Sequence, residues 1–328
     1  MKNVFVTGGS GFIGAAFVRA AVAAGWDVRA LARSTASADR LRALGATPVA
    51  GDVLDESGAW RAVAADSDTV AHVAQPQTYG GRITEKRARR WRDERLQMDR
   101  ALLSALNPAR VQRVVYVAGT SYYGDCGADA PHDEDVTPVP RGWGPYIAPA
   151  LDALRDHEAR GVPIVQAFPG WVYGPGSWFA EYVLQPLHAG KRVTGLSGRA
   201  RITSLVHVDD CAAALVHLLT AGDAGKRYFI VDDAPAENDR PARAAAVALG
   251  VPFRSRSVHP LVCRLLLGRI VTESLQYENR LSNARLRATG FVPAFPTYTH
   301  GVPDAVATWL RDAAAPGGQR TADVASSA

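Results

Sequence analysis

Short runs of Val, Ile, Phe and Ala alternate in the first half of the chain with longer polar or alanine-rich stretches. The two periods predict strands alternating with helices. Lys2–Thr7 reads as a strand that runs into a glycine-rich turn, and Phe12–Ala24 as a helix stopped by Gly25. Trp26–Ala32 is a second strand, Ala38–Leu44 a helix, and Thr47–Ala50 a short strand ending at Gly51-Asp52. Thr69–Val73 and Val111–Val117 are further β-branched runs with a long charged helical stretch between them, and Pro163–Phe168 closes the series. Strands separated by helices imply βαβ units with right-handed crossovers, hence an α/β fold with a doubly wound parallel sheet over residues 1–170.

From Trp171 the pattern loosens. Phe179–Ala189, Asp210–Thr220, Arg240–Ala248 and Pro303–Leu310 read as helices and Arg227–Val231 as a strand. These shorter pieces, 171–313, suit a smaller substrate-binding domain with segments returning to the first, over the carboxyl ends of the strands where such sheets bind ligands. The small, polar tail 314–328 is expected to be disordered.

Composition adds modest constraints. The chain has 328 residues, 47% hydrophobic and 21% charged, with a net charge of +5, an ordinary balance for a soluble globular protein. Apart from the cluster Arg82–Arg100 the basic residues are dispersed and no nucleic-acid motif is visible, so a small-molecule partner is expected and nucleic acid is not. No apolar run is long enough to span a bilayer, so no membrane partner is expected. Cys126, Cys211 and Cys263 lie far apart, which supports neither a metal site nor a disulfide framework. Residue 1 leads straight into a strand without a charged leader, and a cytoplasmic location is the expectation. The pattern allows a homodimer without requiring one.

The strongest chemistry lies in Thr7-Gly8-Gly9-Ser10-Gly11-Phe12-Ile13-Gly14. Gly8, Gly11 and Gly14 recur every third residue between a strand and a helix. Such glycines permit a tight turn and let backbone N–H groups approach a pyrophosphate, while the helix start favours the anion. A Rossmann-type dinucleotide site follows, with Ser10, Phe12 and Ile13 in the same turn. The second strand ends Ala32-Arg33-Ser34 with no carboxylate to hold a ribose 2′-hydroxyl. The Arg33 guanidinium suits a 2′-phosphate instead, so the expected cofactor is NADP(H).

Taken together, these pieces resemble the extended short-chain dehydrogenase/reductase family, in its NAD(P)-dependent epimerase/dehydratase branch, over roughly residues 1–310. Gly51-Asp52-Val53 resembles the segment whose Asp contacts adenine, and His72-Val73-Ala74-Gln75 the family's strand end below the cofactor. Tyr122-Tyr123-Gly124 closes the segment after the central strand. Pro169-Gly170-Trp171-Val172-Tyr173-Gly174-Pro175-Gly176 is similar to the loop beside the nicotinamide. Val206-His207-Val208-Asp209-Asp210 and Ser282-Asn283-Ala284-Arg285-Leu286 with Gly290-Phe291 are similar to later signatures. The resemblance implies cofactor contacts from Asp52, Val53, Ala74, Tyr146, Pro169 and Val172.

It also implies a catalytic Ser or Thr and a Tyr-x-x-x-Lys helix, in which the Tyr exchanges a proton while hydride moves to or from the nicotinamide. Tyr146 holds the tyrosine place, but Ala150 holds the lysine place and Gly119 the usual hydroxyl place. Thr120 and Ser121 are the neighbouring hydroxyls that could serve. A phenol with an ordinary pKa near ~10 is a poor neutral-pH acid without a nearby cation, and Arg155 falls on roughly the opposite helix face. Pro149 suggests a helix that starts near Ala148, with Tyr146 ahead of it.

Trp143, Tyr146, Trp171, Tyr173, Trp178, Phe179 and Tyr182 crowd the segments expected at the nicotinamide end and suggest a flat, apolar substrate. Trp143, Trp171 and Trp178 are the candidate substrate contacts, and Arg201 lies at a family substrate-binding place. Arg82–Arg100 reads most simply as a solvated helix face, with a lid over an anion as the sharper reading. The leading functional reading is an NADP(H)-dependent oxidoreductase or epimerase acting on a small apolar or aromatic carbonyl or alcohol. A lyase, cyclase or isomerase that keeps its cofactor, and a non-enzymatic NADP(H) sensor, are the competitors.

Overall fold

A computed structural model describes residues 2–77 and 81–314. The tail expected to be disordered lies outside them, except for Ala314. The first half runs β1 (Asn3–Thr7), α1 (Phe12–Ala23), β2 (Asp27–Ala32), α2 (Thr35–Ala43), β3 (Thr47–Ala50), α3 (Trp60–Ala65) and β4 (Thr69–His72). It continues with α4 (Glu85–Leu103), β5 (Arg113–Val117), β6 (Gly127–His132), α5 (Gly144–Ala159), β7 (Ile164–Pro169) and β8 (Trp171–Tyr173). The second half contains α6 (Gln185–His188), β9 (Val193–Leu196), β10 (Ile202–Thr203), β11 (Leu205–His207), α7 (Val208–Ala221), β12 (Arg227–Ile230) and β13 (Ala236–Glu237). After these come α8 (Arg240–Ala248), β14 (Ser255–Val258), α9 (Pro260–Leu267), α10 (Arg269–Ser274), β15 (Asn279–Leu281), α11 (Ala284–Ala288) and α12 (Tyr298–Ala314).

Seven strands form one sheet in the order β12-β7-β5-β4-β1-β2-β3, and every pairing in it is parallel. A parallel sheet covered on both faces needs apolar residues at both parities of each strand. Val4 and Val6 point into one core with α1 and α7, while Phe5 points into the other with α3, α4 and α5. Val115 and Val117 divide from Val114 and Tyr116 in the same way. A third apolar cluster joins Phe179, Leu184, Ala245, Val306 and Trp309, so α8 and α12 cover the elements that follow β8. β12 returns from that half to the edge of the main sheet.

Several helix starts differ from the sequence expectation, and two of them involve proline. Helix α5 begins at Gly144 rather than near Ala148, because Pro145 occupies its first turn, where no backbone donor is needed. Pro149 is then carried inside, opposite the Pro145 carbonyl one turn back, and Tyr146 is helical. Helix α12 likewise starts at Tyr298, five residues before Pro303. Among the described residues no helix is long and apolar enough to cross a membrane.

Candidate functional site

The turn after β1 is built by close backbone approach. Gly8 has φ +74°, and a Cβ there would lie 2.5 Å from the Ala74 nitrogen at the end of β4. At Gly14 a Cβ would lie 1.9 Å from the Gly8 carbonyl oxygen, so α1 sits on its own turn only because both residues lack side chains. The Gly11 amide closes the turn on the Gly8 carbonyl at 3.1 Å. Gly11 is also the N-cap of α1, and no side chain caps it. The first N–H groups of the helix are therefore left for an anion.

One cavity of about 980 Å³ opens along this turn and the strand ends beside it. It is lined by Gly8, Ser10, Gly11, Phe12, Ile13 and Gly14 from the turn, by Arg33, Asp52, Val53 and Ala74, and by Pro169 and Val172. Thr120, Ser121, Trp143, Trp171 and Trp178 line its other end. The structure thus brings together residues from seven separate stretches of sequence, from the turn at 8–14 to the segment 169–178. Asp52 uses one carboxylate oxygen to hold the Leu54 amide at 3.0 Å. Trp171 and Trp178 meet edge-on at 5.4 Å, and the Trp178 indole N–H donates to the Val172 carbonyl at 2.8 Å.

Two expected residues stand apart. Tyr146 does not line the cavity; its ring packs with Trp143, Val271, Ile83, Ala88 and Ile270, in a small cluster between α4, α5 and α10. One turn on, Ala150 is 1% exposed, so no cation stands beside the phenol there. Arg201 is also absent from the lining; its guanidinium donates to the Arg199 carbonyl at 3.5 Å, while Arg199 itself pairs with Glu278. Among the described residues that line the cavity there is no tyrosine, lysine or histidine. Thr120 and Ser121 share a single 3₁₀ turn, and Thr120 is buried.

Sequence reasoning missed Arg40. It projects from α2, donates to the Ser10 carbonyl at 3.0 Å, and lines the same end of the cavity as Arg33. The signal was its place one turn into a helix whose start faces the site, since Ser34 caps α2 by accepting from the Ser37 amide at 3.2 Å. The basic stretch held a second omission. Glu85, Lys86, Arg89, Arg90, Asp93 and Arg100 of α4 are exposed, but Arg95 and Asp99 are 2% and 3% exposed.

These two anchor a polar network under the cavity floor. The Arg95 guanidinium donates to the carbonyls of Ala74 at 2.9 Å and Val117 at 3.2 Å, the ends of the chain leaving β4 and β5. Asp99 accepts from the Tyr116 hydroxyl at 2.7 Å and from His72 Nε2 at 2.8 Å. An ionised carboxylate only accepts, so the proton of His72 is on Nε2. Nδ1 then accepts from the Thr7 hydroxyl at 2.5 Å, and Thr7 Oγ1 accepts in turn from the Ala74 amide at 3.4 Å. Burial lowers the His72 pKa below the usual imidazole value and outweighs the pull of Asp99. Burial works to raise Asp99, but Arg95 and the bonds from His72 and Tyr116 hold it below the ordinary carboxylate range.

A second polar cluster lies on the far side of the turn, where His207, Asp209 and Asp304 converge. His207 Nδ1 accepts the Asp209 amide at 3.2 Å, which puts its proton on Nε2, 3.6 Å from Asp304. With one nitrogen accepting and the other protonated, this ring has no lone pair free for a metal.

Comparison with known proteins agrees with this architecture. The NAD dependent epimerase/dehydratase family matches residues 4–231. A 4-hydroxy-2-methyl-3-oxo-4-farnesyl-3,4-dihydroquinoline-1-oxide ketoreductase of Stigmatella aurantiaca is 29% identical over 242 residues, covering 72% of this chain and 70% of that protein. A 3-beta-hydroxysteroid dehydrogenase of Mycolicibacterium neoaurum is 27% identical, with 90% of this chain and 88% of that one covered. Among solved structures, the human epimerase family protein SDR39U1 (isoform 2) with NADPH superposes with a TM-score of 0.74 at 22% identity, over 93% of this chain and 99% of that one. The match over residues 4–231, on a parallel sheet whose first turn is shaped for a pyrophosphate, makes this chain a member of the NAD dependent epimerase/dehydratase family.

Proposed function

We propose that the protein is an NADP(H)-dependent oxidoreductase acting on a small, largely apolar or aromatic carbonyl or alcohol. The observation that carries this reading is that one cavity joins a glycine turn with uncapped helix N–H groups, two arginines at one end and three tryptophans at the other. The glycine cradle fits a pyrophosphate, and a Cβ on Gly11 would meet only the Gly8 carbonyl, at 3.4 Å, leaving room for an incoming group. Arg33 and Arg40 suit a 2′-phosphate at the ribose end, and Asp52 suits the adenine side. The bound nicotinamide would supply or accept hydride. Trp143, Trp171 and Trp178 would hold a flat apolar substrate by their ring faces and edges. Relatives named for a farnesylated quinoline and for a steroid agree with a pocket of that character.

Because Tyr146 stands outside the lining, the hydroxyls of Thr120 and Ser121, which do line it, would hold the substrate oxygen. A proton would then reach it from water relayed by those hydroxyls. Ala150 and the packing of Tyr146 favour a second reading, in which the cofactor stays in one redox state while the pocket positions a substrate for elimination, cyclisation or isomerisation, or merely senses NADP(H). Absorbance at 340 nm separates the two. A mixture of protein, NADPH and a panel of aromatic and alicyclic ketones should lose that absorbance with at least one ketone. Conversion of a substrate at constant absorbance would reject the redox reading.

A further inference from the structure

We infer that α9 is a docking element for an anionic lipid bilayer surface. In this eight-residue helix Leu261, Val262, Leu265 and Leu266 are 68%, 48%, 68% and 62% exposed, while Cys263 is buried beneath them. At about 100° per residue the four fall on one continuous arc of roughly 140°. A soluble protein seldom leaves several large aliphatic side chains exposed together on one helix face unless that face meets something.

Charge identifies the occupant. From Val251 to Thr272 the chain carries Arg254, Arg256, Arg264 and Arg269 and no carboxylate, with Arg269 ion-paired to Glu85 at 2.9 Å and to Glu273 at 3.6 Å. All four arginines are exposed. Arg82 joins them, because the Ile83 amide donates to the Leu267 carbonyl at 2.9 Å, and a Cβ on Gly268 would lie 3.5 Å from the Arg82 side chain. An apolar face on a helix that carries Arg264 and is flanked along the chain by further exposed arginines has the character of an interfacial helix on acidic headgroups. A second copy of this chain fits less well. A two-fold contact centred on α9 would set these arginines against the same arginines. Surface docking needs no spanning helix.

The position of the element gives the contact a consequence. Helix α10 follows α9 after the single residue Gly268, and its Val271 and Ser274, with Leu275 just beyond, line the large cavity. A protein seated on lipid through α9 would bring that side of the cavity near the bilayer, where apolar molecules concentrate. The docking itself holds whether or not hydride transfer occurs.

Co-sedimentation of the full chain with vesicles tests this. The protein should pellet with phosphatidylcholine vesicles containing phosphatidylglycerol, pellet less with phosphatidylcholine alone, and be released by salt. Leu265→Glu with Leu266→Glu, both at exposed positions, should weaken vesicle binding by roughly tenfold or more and leave NADPH affinity unchanged. Failure to pellet with the anionic vesicles at low salt would overturn the inference, as would equal binding to both compositions. Undiminished binding by the double variant would remove α9 from the contact. A dimer in sedimentation equilibrium that the double variant dissociates, without vesicle binding by the parent, would show instead that the face meets a second copy.

Discussion

Arg95 and Asp99 form an ion pair one helical turn apart on α4, Nε to Oδ1 at 2.8 Å, and the pair is buried directly under the two strand ends that floor the cavity. A buried pair has paid the desolvation of both charges, so removing one partner strands the other. Arg95→Met or Asp99→Asn alone should each cost about 3–5 kcal/mol of unfolding free energy. The double variant should cost less than the sum by about 1 kcal/mol or more, measured by urea unfolding. Strictly additive costs would mean that the pair is not coupled.

The same network makes the fold sensitive to acid. His72 titrates lower in the folded chain than when unfolded, so below the usual imidazole value of about 6.5 the unfolded state binds more protons. Stability should therefore fall as pH drops through that region. Asp99, whose folded pKa is depressed, adds stability that is lost only at much lower pH. In thermal melts, His72→Gln should lower the melting temperature at neutral pH but flatten its decline between about pH 7 and 5. An unchanged slope in the variant would assign the acid sensitivity to other groups.

This network also marks what a sequence reading can reach. Gly8, Gly11 and Gly14 are legible because their spacing is carried in eight consecutive residues, although Gly8 also makes room for the distant Ala74 backbone. Arg95 and Asp99 look like any other charges on a basic amphipathic helix. Their burial is decided by His72 and Tyr116, which arrive from two strands far away in the chain. Tyr146 shows a different limit. Its place in the motif is readable, but the side it faces depends on Pro145 starting α5 early and on α10 packing against it. The α9 face escapes notice because its leucines match an ordinary core pattern until the fold leaves them uncovered.

Arg33 and Arg40 should set the choice of dinucleotide. A charge-assisted contact to a 2′-phosphate is worth about 1.5–3 kcal/mol. Arg33→Ala and Arg40→Ala should therefore each erase roughly tenfold or more of the preference for NADPH over NADH, with little change in NADH affinity. Competition binding against a fluorescent dinucleotide would show it. Parallel losses for both cofactors would place the arginines on the pyrophosphate or in folding.

Proton handling gives a further contrast. Because Tyr146 packs outside the cavity lining, Tyr146→Phe should lower turnover by less than about tenfold. Thr120→Val combined with Ser121→Ala should lower it by roughly 10²–10⁴, the range for a positioned proton-handling group. Abolition of turnover by Tyr146→Phe alone would instead mean that the ring swings into the cavity during the reaction.

NADPH is expected to occupy the cavity formed along the Gly8–Gly14 turn. Isothermal titration of the unmodified protein, beside a folded Gly11→Val variant, tests it most directly. At Gly11 a Cβ fits, but a branched side chain would extend into the space left for the pyrophosphate. Binding should be saturable at one site per chain, tighter for NADPH than for NADH, and abolished by Gly11→Val while the variant's melting curve stays cooperative. Equal affinity for the two cofactors, or undiminished binding by Gly11→Val, would contradict it.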